Sequence, residues 1–100
     1  MLNNSMVREY HIEICADVDY LSVTSSSPSK TMVFFREYQH DGDWKELLLK
    51  AVHDFFQRVG EADCTVGFRG LYNGFLAERL GVMEGIVLPL ELIVERAHLL

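Results

Sequence analysis

The sequence predicts a single α+β domain, and three observations predict it. Apolar and polar side chains alternate from Arg8 to Val18, an amphipathic helical stripe runs from Trp44 to Val59, and Pro or Gly punctuates the rest at short intervals. One hundred residues is an ordinary size for one domain, and a strong helix in the middle leaves no room for two independent cores. With 49% apolar and 24% charged residues the composition is that of a globular protein.

The elements follow in order. Residues 1–6 are expected to form a flexible N-terminus. In the first strand Tyr10, Ile12, Ile14 and Ala16 face one way, and Glu9, His11, Glu13, Cys15 and Asp17 the other. Asp17-Val18-Asp19 is a tight connection into a second strand, Tyr20 to Thr24. Ser25-Ser26-Ser27-Pro28-Ser29, polar and broken by proline, is expected to be an exposed, mobile loop. Thr31 to Gln39 is β-branched and aromatic, and Met32-Val33-Phe34-Phe35 predicts a third strand covered on both faces.

Asp41-Gly42 marks a turn, and Asp43 with Glu46 three residues later has the spacing of a capping box. The helix that follows carries Trp44, Leu48, Ala51, Val52, Phe55 and Val59 along one stripe, flanked by Leu47, Leu49 and Phe56, and stops at Gly60. Cys64, Val66 and Phe68 predict a short fourth strand before Arg69-Gly70. Leu71 to Leu80 predicts a second helix with Gly74 in its interior, and Gly85 to Leu88 a last strand. Pro89 suits the first turn of a terminal helix in which Leu90, Ile93, Val94, Ala97 and Leu100 recur at helical spacing.

This order, a three-stranded antiparallel meander followed by α-β-α-β-α, resembles that of RNase H-like domains. In those domains the first strand carries a metal-binding carboxylate, the first helix a second, and the end of the fourth strand a third. On that resemblance Asp17, with Asp19 as its substitute, and Glu46 match the first two positions. The third falls on Val66-Gly67-Phe68-Arg69-Gly70, with an arginine where the pattern requires an acid. Two divalent ions about 3.5–4 Å apart need several carboxylates to neutralise them. The resemblance therefore implies a catalytically empty relative, and a metal-dependent nuclease with Asp17, Asp19 and Glu46 as ligands is the competing enzyme reading. A ferredoxin-like sandwich is the alternative architecture.

The formal charge of -6 disfavours direct binding to a nucleic-acid backbone, which rests on clustered Lys and Arg. The acidity is uneven. Residues 1–29 hold four acids against Arg8, residues 30–60 hold five of each sign, and residues 61–100 hold six acids against three bases. A negative field suits a basic partner and also keeps a small protein in solution. Cys15 and Cys64 form no C-x-x-C motif and no disulfide framework, which fits a reducing, cytoplasmic setting. Ile86 to Leu90 is too short an apolar run to span a bilayer, and the N-terminus has no signal-peptide pattern.

The outer face of the first strand is the first candidate surface. Glu9, His11, Glu13 and Asp17 form an acidic row able to meet a basic groove, with Asp19 beside it and Tyr20 and Tyr38 as aromatic anchors. His11 and Glu13 lack a second histidine at metal-ligand spacing, Asp17-Val18-Asp19 lacks the rest of a calcium loop, and no motif requires a cofactor. Cys15 and Cys64 lack a visible base and orienting acid and read as inert thiols. His40, His53 and His98 read as scattered surface residues. The glycines of Gly67-Phe68-Arg69-Gly70-Leu71-Tyr72-Asn73-Gly74 read as a strand-to-helix turn, with Arg69 at a helix start where anions are favoured.

The expectation is therefore a non-catalytic protein-protein interaction module that docks on a larger, basic protein or complex. An inhibitor of nucleic-acid enzymes, of immunity type or of phage anti-defence type, has this description. A homo-oligomeric structural protein that pairs an exposed strand edge or its terminal helix is the third reading.

Overall fold

A computed structural model of the chain describes residues 9–40, 42–69 and 74–100. Eight elements follow one another among these residues: β1 (Glu9–Ala16), β2 (Tyr20–Ser26), β3 (Met32–Gln39), α1 (Trp44–Val59), β4 (Asp63–Arg69), α2 (Gly74–Leu80), β5 (Val87–Pro89) and α3 (Leu90–His98). The fold is α+β, with a five-stranded mixed sheet in the order β3-β2-β1-β4-β5. β1 pairs antiparallel with β2 and parallel with β4, and β2–β3 and β4–β5 are antiparallel. The chain thus leaves one edge of the sheet through α1 and returns beyond β1. A helical crossover is the usual way to bring a parallel strand into place.

Alternation decides which face of the sheet is covered. Tyr10, Ile12, Ile14 and Ala16 of β1, Leu21 and Val23 of β2, Phe34 and Tyr38 of β3, and Val66 and Phe68 of β4 are buried. Register places them all on one inner face. The helices complete this core with Trp44, Leu47, Leu48, Ala51 and Phe55 of α1, Leu76 and Leu80 of α2, and Leu90, Ile93 and Ala97 of α3. Phe55, fully buried, meets the rings of Tyr10 and Phe34 edge-on at centroid distances of 6.0 and 5.8 Å. The opposite face of the sheet carries no helix among the described residues, so the architecture has two layers, helices on one side and open sheet on the other.

The helix ends follow the predicted chemistry closely. Asp43 caps α1, its Oδ1 accepting the Glu46 amide at 3.0 Å, and Gly60 ends the helix at φ 79°. Gly81 (φ 67°) ends α2, where Arg96 of α3 donates to the Leu80 and Gly81 carbonyls at 2.9 and 3.2 Å. Pro89 stands one residue before α3 as its extended cap rather than in its first turn, and β5 is three residues long.

Two other expectations are corrected. β3 is an edge strand covered on one side only: Phe34 and Tyr38 are buried, while Met32 and Phe35 are 62% and 56% exposed. The serine run is not all loop, because Ser25 and Ser26 belong to β2. Ser25 is fully buried and donates its hydroxyl to the His11 carbonyl at 3.1 Å. The turn proper is Ser27 to Thr31, with Lys30 at φ 67°. Residues 1–6, Asp41 and the Gly70–Asn73 part of the strand-to-helix turn, Tyr72 included, lie outside the described residues.

Candidate interaction surface on the open sheet face

Register assembles the open face strand by strand. β1 contributes Glu9, His11, Glu13 and Cys15. Across from them stand Ser26, Thr24 and Ser22 of β2 on one side, and Asp63, Thr65, Gly67 and Arg69 of β4 on the other. β3 adds Met32, Phe35 and Glu37, and Tyr20 opposite Gln39 lies at the end of the same face. A register shift at Ser25/Ser26 brings Met32 opposite Ser26 and so onto this face.

His11 is held at both nitrogens. Nδ1 lies 2.9 Å from Thr65 Oγ1 and Nε2 lies 3.5 Å from Glu13 Oε2, both side chains being about a third exposed. Gly67 makes room for this pair. A side-chain carbon there would stand 2.6 Å from Glu13 Oε2 and 3.3 Å from His11 Cε1. The residues therefore form a shallow polar trough down the middle of the sheet, with Glu9 and Asp63 opposite each other at its entrance.

Two depressions open from it. One, of about 460 Å³, is bordered by Glu9, His11, Thr65, Ser26 and Lys30. The other, of about 490 Å³, is bordered by Glu13, Cys15, Ser22, Thr24, Arg69 and Glu84. Arg69 thus belongs to the sheet surface, opposite Cys15, rather than to a helix start.

The predicted partner-binding residues divide. Glu9, His11, Glu13 and Tyr20 come together on the open face. Asp17 and Asp19 lie in the β1–β2 turn at its end. Asp17 Oδ1 accepts the Val18 amide at 2.7 Å, and its carboxylate stands near the Tyr20 phenol. The charge of Asp17 is the largest influence raising the Tyr20 phenol above its usual value.

Tyr38 goes to the other side. It is 6% exposed on the inner face and donates its hydroxyl to Asp54 Oδ2 of α1 at 2.8 Å, so it is a core tyrosine and not a surface anchor. Arg36 donates to the same oxygen at 3.1 Å. Burial, the largest influence, pushes the Asp54 carboxyl up. The hydrogen bonds from Tyr38 and Arg36 and the charges of Arg36 and Lys50 together hold it below the usual value.

Glu46 sits in the first turn of α1, and no three His, Cys, Asp or Glu side chains among the described residues converge on a point where one metal ion would sit. Cys15 and Cys64 lie on neighbouring strands but cannot pair. Cys15 stands opposite Arg69 on the open face, and Cys64 opposite Tyr10 on the covered one, five register positions away. Burial, with the charges of Asp63 and Glu91, pushes the Cys64 thiol up to about 11, away from thiolate chemistry.

Sequence reasoning found the β1 row because alternation marks it. It missed Thr65, Gly67, Asp63 and Glu37, whose place beside that row depends on strand order, and it missed the exposure of Met32 and Phe35. No helix of the described residues is long and apolar enough to cross a membrane. The chain matches no protein-family model, no curated protein and no solved structure.

Proposed function

We propose that this chain is a non-catalytic interaction module that docks on a larger, basic protein through the open face of its sheet. The observation that carries the reading is the composition of that face: Glu9, Glu13, Glu37 and Asp63 stand among small polar residues, with the apolar side chains of Met32, Phe35 and Tyr20 beside them. Apolar contact area beside an acidic surface, which Arg69 interrupts at one end, gives a protein interface both affinity and steering. The net charge of -6 points to a basic partner and away from a nucleic-acid backbone. Inhibition of a nucleic-acid-handling complex in the cytoplasm, in the manner of an immunity protein or a phage anti-defence protein, is the role these properties suit.

The test is a paired capture from lysate, with the wild-type chain and a Glu9→Lys/Glu13→Lys chain as baits, followed by mass spectrometry and by titration of the purified partner. A basic protein retained by the wild type and released by the charge reversal, with an affinity that falls as salt is raised, supports the reading. Identical retained proteins on both baits would remove the open face from the proposal.

A further inference from the structure

The two edges of the sheet are built differently. β5 closes one edge with three residues, the last of them Pro89, which has no amide hydrogen. Short edge strands and prolines are devices that stop a sheet from growing. β3 closes the other edge with eight residues, Met32–Gln39, without a proline, and no element among the described residues lies beyond it. Such an edge presents a row of backbone N–H and C=O groups to any strand that comes alongside. β3 is also electrically balanced, with Arg36 against Glu37, in a chain of net charge -6. A second copy therefore meets less repulsion along β3 than along the acidic row of β1.

We propose that β3 pairs antiparallel with β3 of a second copy, joining two five-stranded sheets into one of ten strands. A two-fold axis normal to the sheet passes midway between one residue of β3 and the same residue of the second copy, and the chemistry of the strand selects which. Centring on Arg36 or Glu37 sets like charges directly opposite each other. Centring on Phe34 uses a ring that is already buried against Phe55 and brings the irregular register between Met32 and Phe34 next to the axis. Centring on Phe35 places two half-exposed rings side by side on the open face and sets Arg36 opposite Phe34. Arg36 already lies over the ring of its own Phe34, 5.9 Å from the centroid, so the cation and the aromatic are suited to each other on that side. Phe35 belongs to both the pairing and the docking surface, and where both hold the pairing gives a bivalent acidic surface.

Sedimentation equilibrium tests this on the full chain. A single strand pair is a small interface, so the concentration series runs from about 10 to about 500 μM. The wild type is expected to rise from 11.5 kDa toward twice that mass, and Phe35→Lys, which sets two ammonium groups at the axis, to stay at 11.5 kDa. Circular dichroism verifies that Phe35→Lys is folded, as the exposure of this side chain leads one to expect.

A second measurement does not depend on that variant. Phe35→Cys, in a chain with Cys15→Ser and Cys64→Ala, is expected to form a disulfide between the two introduced thiols. Residues directly opposite in an antiparallel pair have Cα atoms about 4.5–5.5 Å apart, within reach of that bond. A wild type that remains at 11.5 kDa throughout, a Phe35→Lys chain that dimerises as well as the wild type, or a dimer that forms no link at position 35 would each overturn the proposal.

Discussion

The hydroxyl of Tyr38 lies 2.8 Å from Oδ2 of Asp54, and this hydrogen bond fastens the edge strand β3 to the first helix. Arg36 reaches the same oxygen at 3.1 Å from a more exposed position. One carboxylate thus organises two side chains of a strand that has a neighbour on one side only.

Tyr38→Phe is expected to cost about 1.5–3 kcal/mol, the usual worth of a hydrogen bond to a charged acceptor, read as a lower urea midpoint with an unchanged slope. The pH dependence follows from the two shifts. The Asp54 carboxyl is depressed in the folded state, so its stabilisation is present above the unfolded value near 3.9 and is lost as pH falls through the folded value. Burial first, and then Asp54, raise the Tyr38 phenol, so that contribution is present below about 10 and is lost as pH rises through the folded value. Phenolate absorbance should therefore show Tyr38 ionising together with alkaline unfolding in the wild type. A Tyr38→Phe chain with the same acid and alkaline limbs as the wild type would contradict this account.

Phe55→Ala is expected to be the costliest single truncation in the core. The ring is fully buried and touches aromatic neighbours from β1, β3 and α1 itself. Removing such a ring costs about 3–5 kcal/mol, in a class of domains whose total stability is about 5–15 kcal/mol. Equilibrium denaturation measures it directly, and a loss below about 1 kcal/mol would mean that the three elements do not share this core.

Much of the fold was legible because burial here is one-sided. Strands with one covered face alternate cleanly, so β1 and β2 could be read from Tyr10, Ile12, Ile14, Leu21 and Val23. The capping of α1 by Asp43 is chemistry local to four residues. What escaped was information about neighbours far along the chain. Phe34 and Phe35 are equally apolar as letters, and only the lack of a second layer over the open face, among the described residues, leaves Phe35 in solvent. Ser25 is buried because β1 supplies the His11 carbonyl, and Tyr38 is a core residue because α1 supplies Asp54. The trough around His11 needed the parallel β1–β4 register, which brings Thr65 beside a residue 54 positions earlier.

Gly67→Ala tests that trough. The added methyl group meets the far end of the Glu13 side chain at 2.6 Å, and a flexible carboxylate can swing away. The backbone gains from the reduced freedom of the unfolded chain by about 0.4–1 kcal/mol, which offsets part of the crowding. Stability is therefore expected to change by less than about 1 kcal/mol, while the His11 ring signals in an NMR spectrum shift as Glu13 leaves Nε2. Unchanged His11 signals would show that the two side chains are not held together over this glycine.

One buried polar atom lacks a partner among the described residues. The ring of His40 stacks on Trp44 at 3.9 Å and 12°, and its Nε2 is buried with no hydrogen-bond partner among the described residues. The backbone amide of His40 donates to the Asp19 carbonyl at 2.8 Å, an interaction any residue except proline keeps. His40→Phe preserves the stacked ring and removes the buried nitrogen, whose desolvation costs about 1–3 kcal/mol when unmet. Because a larger ring carries some packing cost, the net gain expected is up to about 1 kcal/mol, which in a chain of this size raises Tm by about 4–8 °C. His40→Ala loses the stack as well and should fall below the wild type. If His40→Phe instead lowers Tm as far as His40→Ala does, then Nε2 is bonded to a water or to a side chain beyond the described residues. The histidine would then be a structural link between β3 and the start of α1 rather than a tolerated defect.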